Sequence, residues 1–114
     1  MNEIAQPSTF ACPDCHGALW EIVGPVPRRF RCHTGHAFTL RTLVHAQCAG
    51  TEEAVWGAIR SVQERQLLLE LTATEADLAM DAEASEKARA DARRLGQLAH
   101  AMQRLSESLP APAE

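Results

Sequence analysis

Cys12, Cys15, Cys32 and His36 are the residues of this chain whose types and spacing point most directly to chemistry. Cys12-Pro13-Asp14-Cys15 sets two thiols at i and i+3, and after sixteen residues Cys32-His33-Thr34-Gly35-His36 sets a third thiol four positions before an imidazole. Two close pairs of soft or borderline donors, separated by the length of a β-hairpin, match a structural, tetrahedral Zn²⁺ site with four protein ligands and no open position. Pro13 and Gly17 suit the tight turn of the first knuckle, and Gly35 that of the second. Such turns aim backbone N–H groups at sulfur and favour the thiolate that the metal needs. His33 is the alternative fourth ligand, but the side chains of the neighbours Cys32 and His33 diverge, so the spacing favours His36. His16 reads as a surface residue beside the site, His45 and His100 as members of helical runs, and Cys48 as a small buried helix residue.

The elements that must position these ligands follow from the apolar pattern. Leu19-Trp20-Glu21-Ile22-Val23 is rich in β-formers, Gly24-Pro25-Val26-Pro27 breaks it, and Arg28 to Cys32 returns as a second strand with Phe30 inward. Trp20, Phe30, Phe38 and Leu43 are the expected miniature core, with Trp56 tying the long helix to the ribbon. Thr39 caps a short helix that ends at Gly50, and Thr51 caps the next, with Glu52 and Glu53 in its first turn. Between Thr51 and Glu86 there are nine acids and two arginines, and between Lys87 and Arg104 five bases and one acid. An antiparallel fold-back with its bend near 81–85 would bring the opposite charges together. One stripe, Val55, Ile59, Val62, Leu69, Ala73, Ala76 and Met80, interrupted by Gln66, matches a second of Ala88, Leu95, Leu98, Met102, Leu105 and Leu109. Leu67, Leu68, Leu71 and Leu78 lie off the first stripe and form a second apolar surface, for a protein partner or a second copy. The expected fold class is α+β: a small zinc-ribbon β-hairpin followed by a short helix and a long antiparallel helical hairpin. The expected organisation is a flexible leader over 1–9, the zinc ribbon with its short helix over 10–50, the helical hairpin over 51–109 and a disordered tail over 110–114.

Size and charge narrow the classes of function. A ribbon of roughly 35 residues cannot bury enough apolar surface to fold alone, and metal binding of about 10–16 kcal/mol makes up the deficit. The net charge of −4 weighs against a general nucleic-acid binder. No run approaches the ~18 apolar residues of a membrane span and no signal peptide opens the chain, so a cytoplasmic location is expected, where thiols stay reduced. Arg28, Arg29 and Arg31 beside Phe30 read as a solvated outer face, as a docking patch for an acidic partner, or as the phosphate contacts of a nucleic-acid-binding ribbon. Cys-Pro-Asp-Cys also suits a thiol-based redox or metal sensor, although the βαβ setting of a thioredoxin-like site is missing. No glycine-flanked serine marks a nucleophile elbow, and an enzyme is not expected.

Phe10-Ala11-Cys12-Pro13-Asp14-Cys15, Gly17-Ala18-Leu19-Trp20-Glu21, Phe30-Arg31-Cys32, Gly35-His36-Ala37-Phe38 and Glu53-Ala54-Val55-Trp56 together resemble the C-terminal zinc-ribbon-and-helix extension of some bacterial CheB-type chemotaxis methylesterases. The resemblance covers residues 9 to 70, and the catalytic part of such an enzyme has no counterpart here. It implies zinc on Cys12, Cys15, Cys32 and His36 and a non-enzymatic protein-interaction or scaffold role in bacterial signalling.

Overall fold

The computed structural model of the chain describes residues 4–24 and 28–111. The start of the expected leader, Pro25-Val26-Pro27 of the expected turn and the end of the expected tail lie outside these residues. The chain divides into two compact units between Thr51 and Glu52.

The first unit holds a four-stranded antiparallel sheet in sequential order, β1 (Ile4–Ala11), β2 (Ala18–Val23), β3 (Arg29–Cys32) and β4 (Ala37–Thr39). The central β2–β3 hairpin matches the expected ribbon, and β1 and β4 extend it on either side. Residues 4–9, expected as a flexible leader, instead form most of β1, pairing with β2 from Ile4↔Val23 to Pro7↔Trp20 and again at Ala11↔Ala18. Pro7 is tolerated because β1 is an edge strand with an irregularity after it. The Ser8 hydroxyl donates to the Leu19 carbonyl at 2.7 Å and accepts from the Phe10 N–H at 3.2 Å. Hydrogen bonding to a neighbouring strand, not apolar alternation, orders this polar stretch.

Cys12, Leu19, Phe30, Cys32 and Leu43 form the core of the unit, with Phe38 packed against it. Register decides its membership. Leu19 lies opposite Cys32, whereas Trp20 lies opposite Arg31. Successive side chains of a strand point to opposite faces, so Leu19 is inward and Trp20, expected in the core, is 41% exposed. Phe10 meets Phe30 edge-to-face, with ring centroids 5.8 Å apart.

The helix α1 (Leu40–Leu78) begins where Thr39 caps it: the Thr39 hydroxyl accepts from the Thr42 N–H at 3.1 Å, and the Thr39 N–H donates to the Thr42 hydroxyl at 2.8 Å. The expected stop at Gly50 and second cap at Thr51 are absent, because α1 continues through both. The Thr51 hydroxyl donates to the Gln47 carbonyl at 2.9 Å, so it is satisfied by the preceding turn and does not cap a new helix. A glycine inside a helix costs about 1 kcal/mol, too little to end one with good formers on both sides.

In the second unit the rest of α1 pairs with α2 (Ala82–Ser106) as a helical hairpin. The bend falls at 79–81, meeting the expected stretch of 81–85 at Asp81. Asp81 N–H donates to the Ala76 carbonyl at 2.9 Å and Met80 N–H to the Asp77 carbonyl at 3.0 Å, with Met80 at φ 58°. This closes α1 with a left-handed residue, and Asp81 then caps α2 by accepting from the Ala84 N–H at 3.0 Å. Met80, expected in the stripe, is therefore 92% exposed. On α1 the inward positions are Val55, Ile59, Val62, Gln66, Leu69, Ala73 and Ala76, the expected stripe with Gln66 included. On α2 they are Ser85, Ala88, Ala92, Leu95, Ala99, Met102 and Ser106. Both series advance by alternating threes and fours, the 3.5-residue repeat of a coiled-coil seam. Leu98 and Leu105, expected inward, are exposed, and Ala92 and Ala99 take the seam in their place. Gly96 makes room for Gln66, since a Cβ at 96 would lie 2.9 Å from Gln66 Nε2. Nearer the bend Arg89 grips Asp77, Nη2 to Oδ2 at 2.6 Å and Nη1 to Oδ1 at 3.3 Å, while Ser85 bonds to both partners.

Candidate metal centre

Strand register brings the two knuckles to one end of the sheet. The first occupies the turn between β1 and β2, closed by Ala11↔Ala18 and by Cys12 N–H donating to the Gly17 carbonyl at 2.7 Å. The second occupies the turn between β3 and β4, closed by Cys32 N–H donating to the His36 carbonyl at 2.9 Å. Because β2 pairs with both neighbours, and Leu19 lies opposite Cys32, the turns are side by side. Inside the knuckles His16 N–H donates to the Cys12 carbonyl at 2.8 Å and Gly35 N–H to that of Cys32 at 3.1 Å. Gly35, at φ 99°, occupies backbone space that side chains disfavour.

Cys12, Cys15, Cys32 and His36 are thereby assembled, their ligand atoms all within 4.8 Å of one another. His36 turns Nδ1 to the sulfurs, 3.1 Å from Cys32 Sγ and 3.7 Å from Cys12 Sγ. An ion bound tetrahedrally at about 2.0–2.3 Å holds its ligand atoms roughly 3.5–3.8 Å apart, so the cluster is of the size to hold a metal ion. All four cysteines of the chain, Cys48 included, are free thiols. Cys12 and Cys32 are buried in the core, while Cys15 and His36 face outward. His33, the alternative ligand, is exposed and outside the cluster, and His16, exposed at φ 63°, also stays out.

The surroundings prepare the donors unequally. Burial pushes the Cys12 thiol up. The Gly17 backbone N–H, then His36 and Thr34, draw Cys15 down. At Cys32 burial works upward, but the Thr34 hydroxyl and the backbone N–H groups of His36 and Thr34 prevail and bring the thiol to about 5. The thiolates of Cys15 and Cys32 in turn raise His36. At Cys15 and Cys32 these contacts favour thiolate sulfur, the form in which cysteine binds metal, whereas burial disfavours it at Cys12.

Thr34 is the member of the site that the ligand spacing did not disclose. Its hydroxyl lies 3.1 Å from Cys32 Sγ, 3.2 Å from His36 Nδ1 and 3.7 Å from Cys15 Sγ. The available signal was its place between the third and fourth ligands. His36 N–H adds a further bond to Cys32 Sγ at 3.2 Å.

The other residues singled out by sequence lie elsewhere. Arg28 precedes β3 at the end away from Cys32 and pairs with Glu21 at 3.6 Å. Arg29 and Arg31 are exposed along β3. Leu67, Leu68, Leu71 and Leu78 are 60–82% exposed on α1. Trp56 is half exposed. Among the described residues no helix is long and apolar enough to cross a membrane. Comparison with protein-family models, with curated proteins and with solved structures finds no match for this chain.

Proposed function

We propose that Cys12, Cys15, Cys32 and His36 hold one structural Zn²⁺, and that the chain is a non-enzymatic protein-interaction module of bacterial cytoplasmic signalling. The observation that carries this reading is the closed donor set, three sulfurs and one imidazole nitrogen within 4.8 Å of one another. Three thiolates favour zinc over the hard cations, and four protein ligands leave no position for a substrate or an activated water. When bound, the ion supplies charge neutralisation and a cross-link between the two knuckles. The chain's own residues do the rest: Thr34 and the knuckle N–H groups hold the sulfurs, and Leu19, Phe30 and Leu43 exclude water from Cys12 and Cys32. The signalling context rests on the resemblance to the methylesterase extension.

The partner surface in this reading is the line of Leu67, Leu68, Leu71 and Leu78, since exposed apolar side chains clustered on a helix mark interaction sites. X-ray absorption of the purified chain should show one zinc bound by three sulfurs and one nitrogen. A coordinated water, or substoichiometric zinc, would reverse the structural assignment. Capture of a protein from bacterial lysate should be lost with Leu68→Glu and kept with Arg28→Ala; the opposite pattern moves the partner to the sheet.

A further inference from the structure

The seam of the helical hairpin uses one face of α1 and leaves the opposite face bare. A seam recurring every 3.5 residues through Ile59, Val62, Gln66, Leu69, Ala73 and Ala76 puts Leu71 and Leu78 on the far side of the helix, flanked by Leu67 and Leu68. All four leucines are exposed, Leu78 the most. Gly57 and Glu64 precede Leu71 and Leu78 on the same line at steps of seven, and Arg60 and Glu75 stand seven residues from Leu67 and Leu68. These four residues are exposed as well.

Two features of this face have no use within the chain. A Cβ at Gly57 would meet nothing within 4 Å, so the hairpin does not call for a glycine there, although glycine weakens a helix interior. Among the described residues the side chains of Arg60, Glu64 and Glu75 have no ion-pair or hydrogen-bond partner, whereas Asp77, Glu86 and Asp91 are each paired.

We infer that this face is covered by the same face of a second copy, the two α1 helices running antiparallel about a two-fold axis between Leu67 and Leu68. The inference deepens the reading of the leucine line as the interaction surface and rests on it. The two members of each contact lie equally far from the axis, so Leu67 meets the partner's Leu68, Arg60 the partner's Glu75 and Gly57 the partner's Leu78, each contact occurring twice. The unpaired charges neutralise one another, and the most exposed leucine is received where no side chain stands. A parallel pair would instead set Arg60 on Arg60 and Glu75 on Glu75, like on like. The outer face of α2, with Arg93, Arg94, Gln97, His100 and Arg104, would suit Glu64 and Glu75 but would repel Arg60 and offers the leucines little apolar surface. From Gly57 to Leu78 the face is about 32 Å long. One helix face of that length is at the small end of specific interfaces, so the dimer should be a micromolar one.

The test is sedimentation velocity of the zinc-loaded full chain. Expected is exchange between the 12.5 kDa monomer and its dimer with a Kd of about 10–100 μM. Leu68→Glu should abolish the dimer, because each copy would then bury a carboxylate against the partner's Leu67. Arg60→Glu and Glu75→Arg should each weaken it by about three- to tenfold, and the two together should restore it, since the swap rebuilds both pairs. Glu64→Leu, which removes a charge facing the partner's Leu71, should tighten it. Gly57→Ala should raise the melting temperature of the dilute monomer yet weaken the dimer, opposite signs that a glycine serving the hairpin alone would not show. Retained zinc and an unchanged circular dichroism spectrum in each variant separate loss of contact from loss of fold. A chain that stays monomeric throughout, a double charge variant no better than the singles, or an Arg60→Glu variant that associates more tightly would each overturn the inference, the last in favour of head-to-tail contact with the basic face of α2. If the chain is monomeric while Leu68→Glu still abolishes capture from lysate, the inference fails and the leucine line stands as a surface for a different protein.

Discussion

In the sheet unit two of the five core side chains are cysteine thiols, whereas in the helical unit α2 buries Ser85, Ala88, Ala92 and Ala99 along a regular seam. Neither interior is rich in large apolar groups, but they compensate differently. The sheet gathers ligand atoms from two turns into one cluster that could hold a metal ion, and in the proposed reading that ion supplies the missing cohesion. The helical hairpin keeps a 3.5-residue repeat over many turns, so each layer of small side chains adds a modest contribution. The first arrangement concentrates stability at a few residues; the second spreads it along the chain.

That contrast can be sharpened by substitutions in each unit, read separately through amide hydrogen exchange. Leu19→Ala removes a fully buried side chain beside Cys12 and Cys32, and should reduce protection of β2 and β3 by about 2–5 kcal/mol while leaving α2 unchanged. Ala92→Leu should act the other way, overpacking the seam and lowering protection of α2 by about 1–3 kcal/mol with zinc content unaffected. If either change spread equally through both units, the division of stability proposed for them would fail.

Smaller effects are expected at the bend. Met80 occupies the left-handed position that closes α1, and Met80→Gly should raise the hairpin's stability by about 1 kcal/mol in a thermal melt. The hydrogen-bonded Arg89 guanidinium, helped by the Ser85 hydroxyl, holds Asp77 below its ordinary 3.8. The unfolded chain then binds more protons than the folded one in this range, so stability rises with pH. The Asp77 contribution is complete above about pH 4 and is lost as pH falls through the lower folded value. Asp77→Asn should remove that part of the acid dependence of the helical signal, and a variant melting with the same pH profile as the parent would count against the pair.

How much of this was legible beforehand depended on whether the signal lay in residue identity or in spatial accommodation. The ligand spacing needs particular atoms at particular separations, so Cys12, Cys15, Cys32 and His36 could be grouped from sequence and are found together. The α1 stripe was legible because its period persists over many turns. On α2 leucine misled: Leu98 and Leu105 carry more apolar surface than Ala92 and Ala99, but the 3.5-residue repeat that runs through Ser85, Ala88 and Leu95 puts the alanines on the seam. In β2 the consecutive Leu19 and Trp20 both suited a core, and only pairing with Cys32 and Arg31 decides which one faces it. Residues 4–9 lack alternation, and their order depends on β2, eleven or more positions away in the chain. Gly50 has the type that ends helices, but the surrounding hydrogen bonds carry α1 through it.

The central claim is tested most directly by stripping metal from the purified, isotopically labelled chain with a strong chelator while recording its amide NMR spectrum. The account predicts that zinc leaves at one equivalent per chain, that the dispersed signals of residues 4–24 and 28–39 collapse, and that those of α2 persist. A chain that contains no zinc as isolated, or whose sheet signals survive complete chelation, would contradict it.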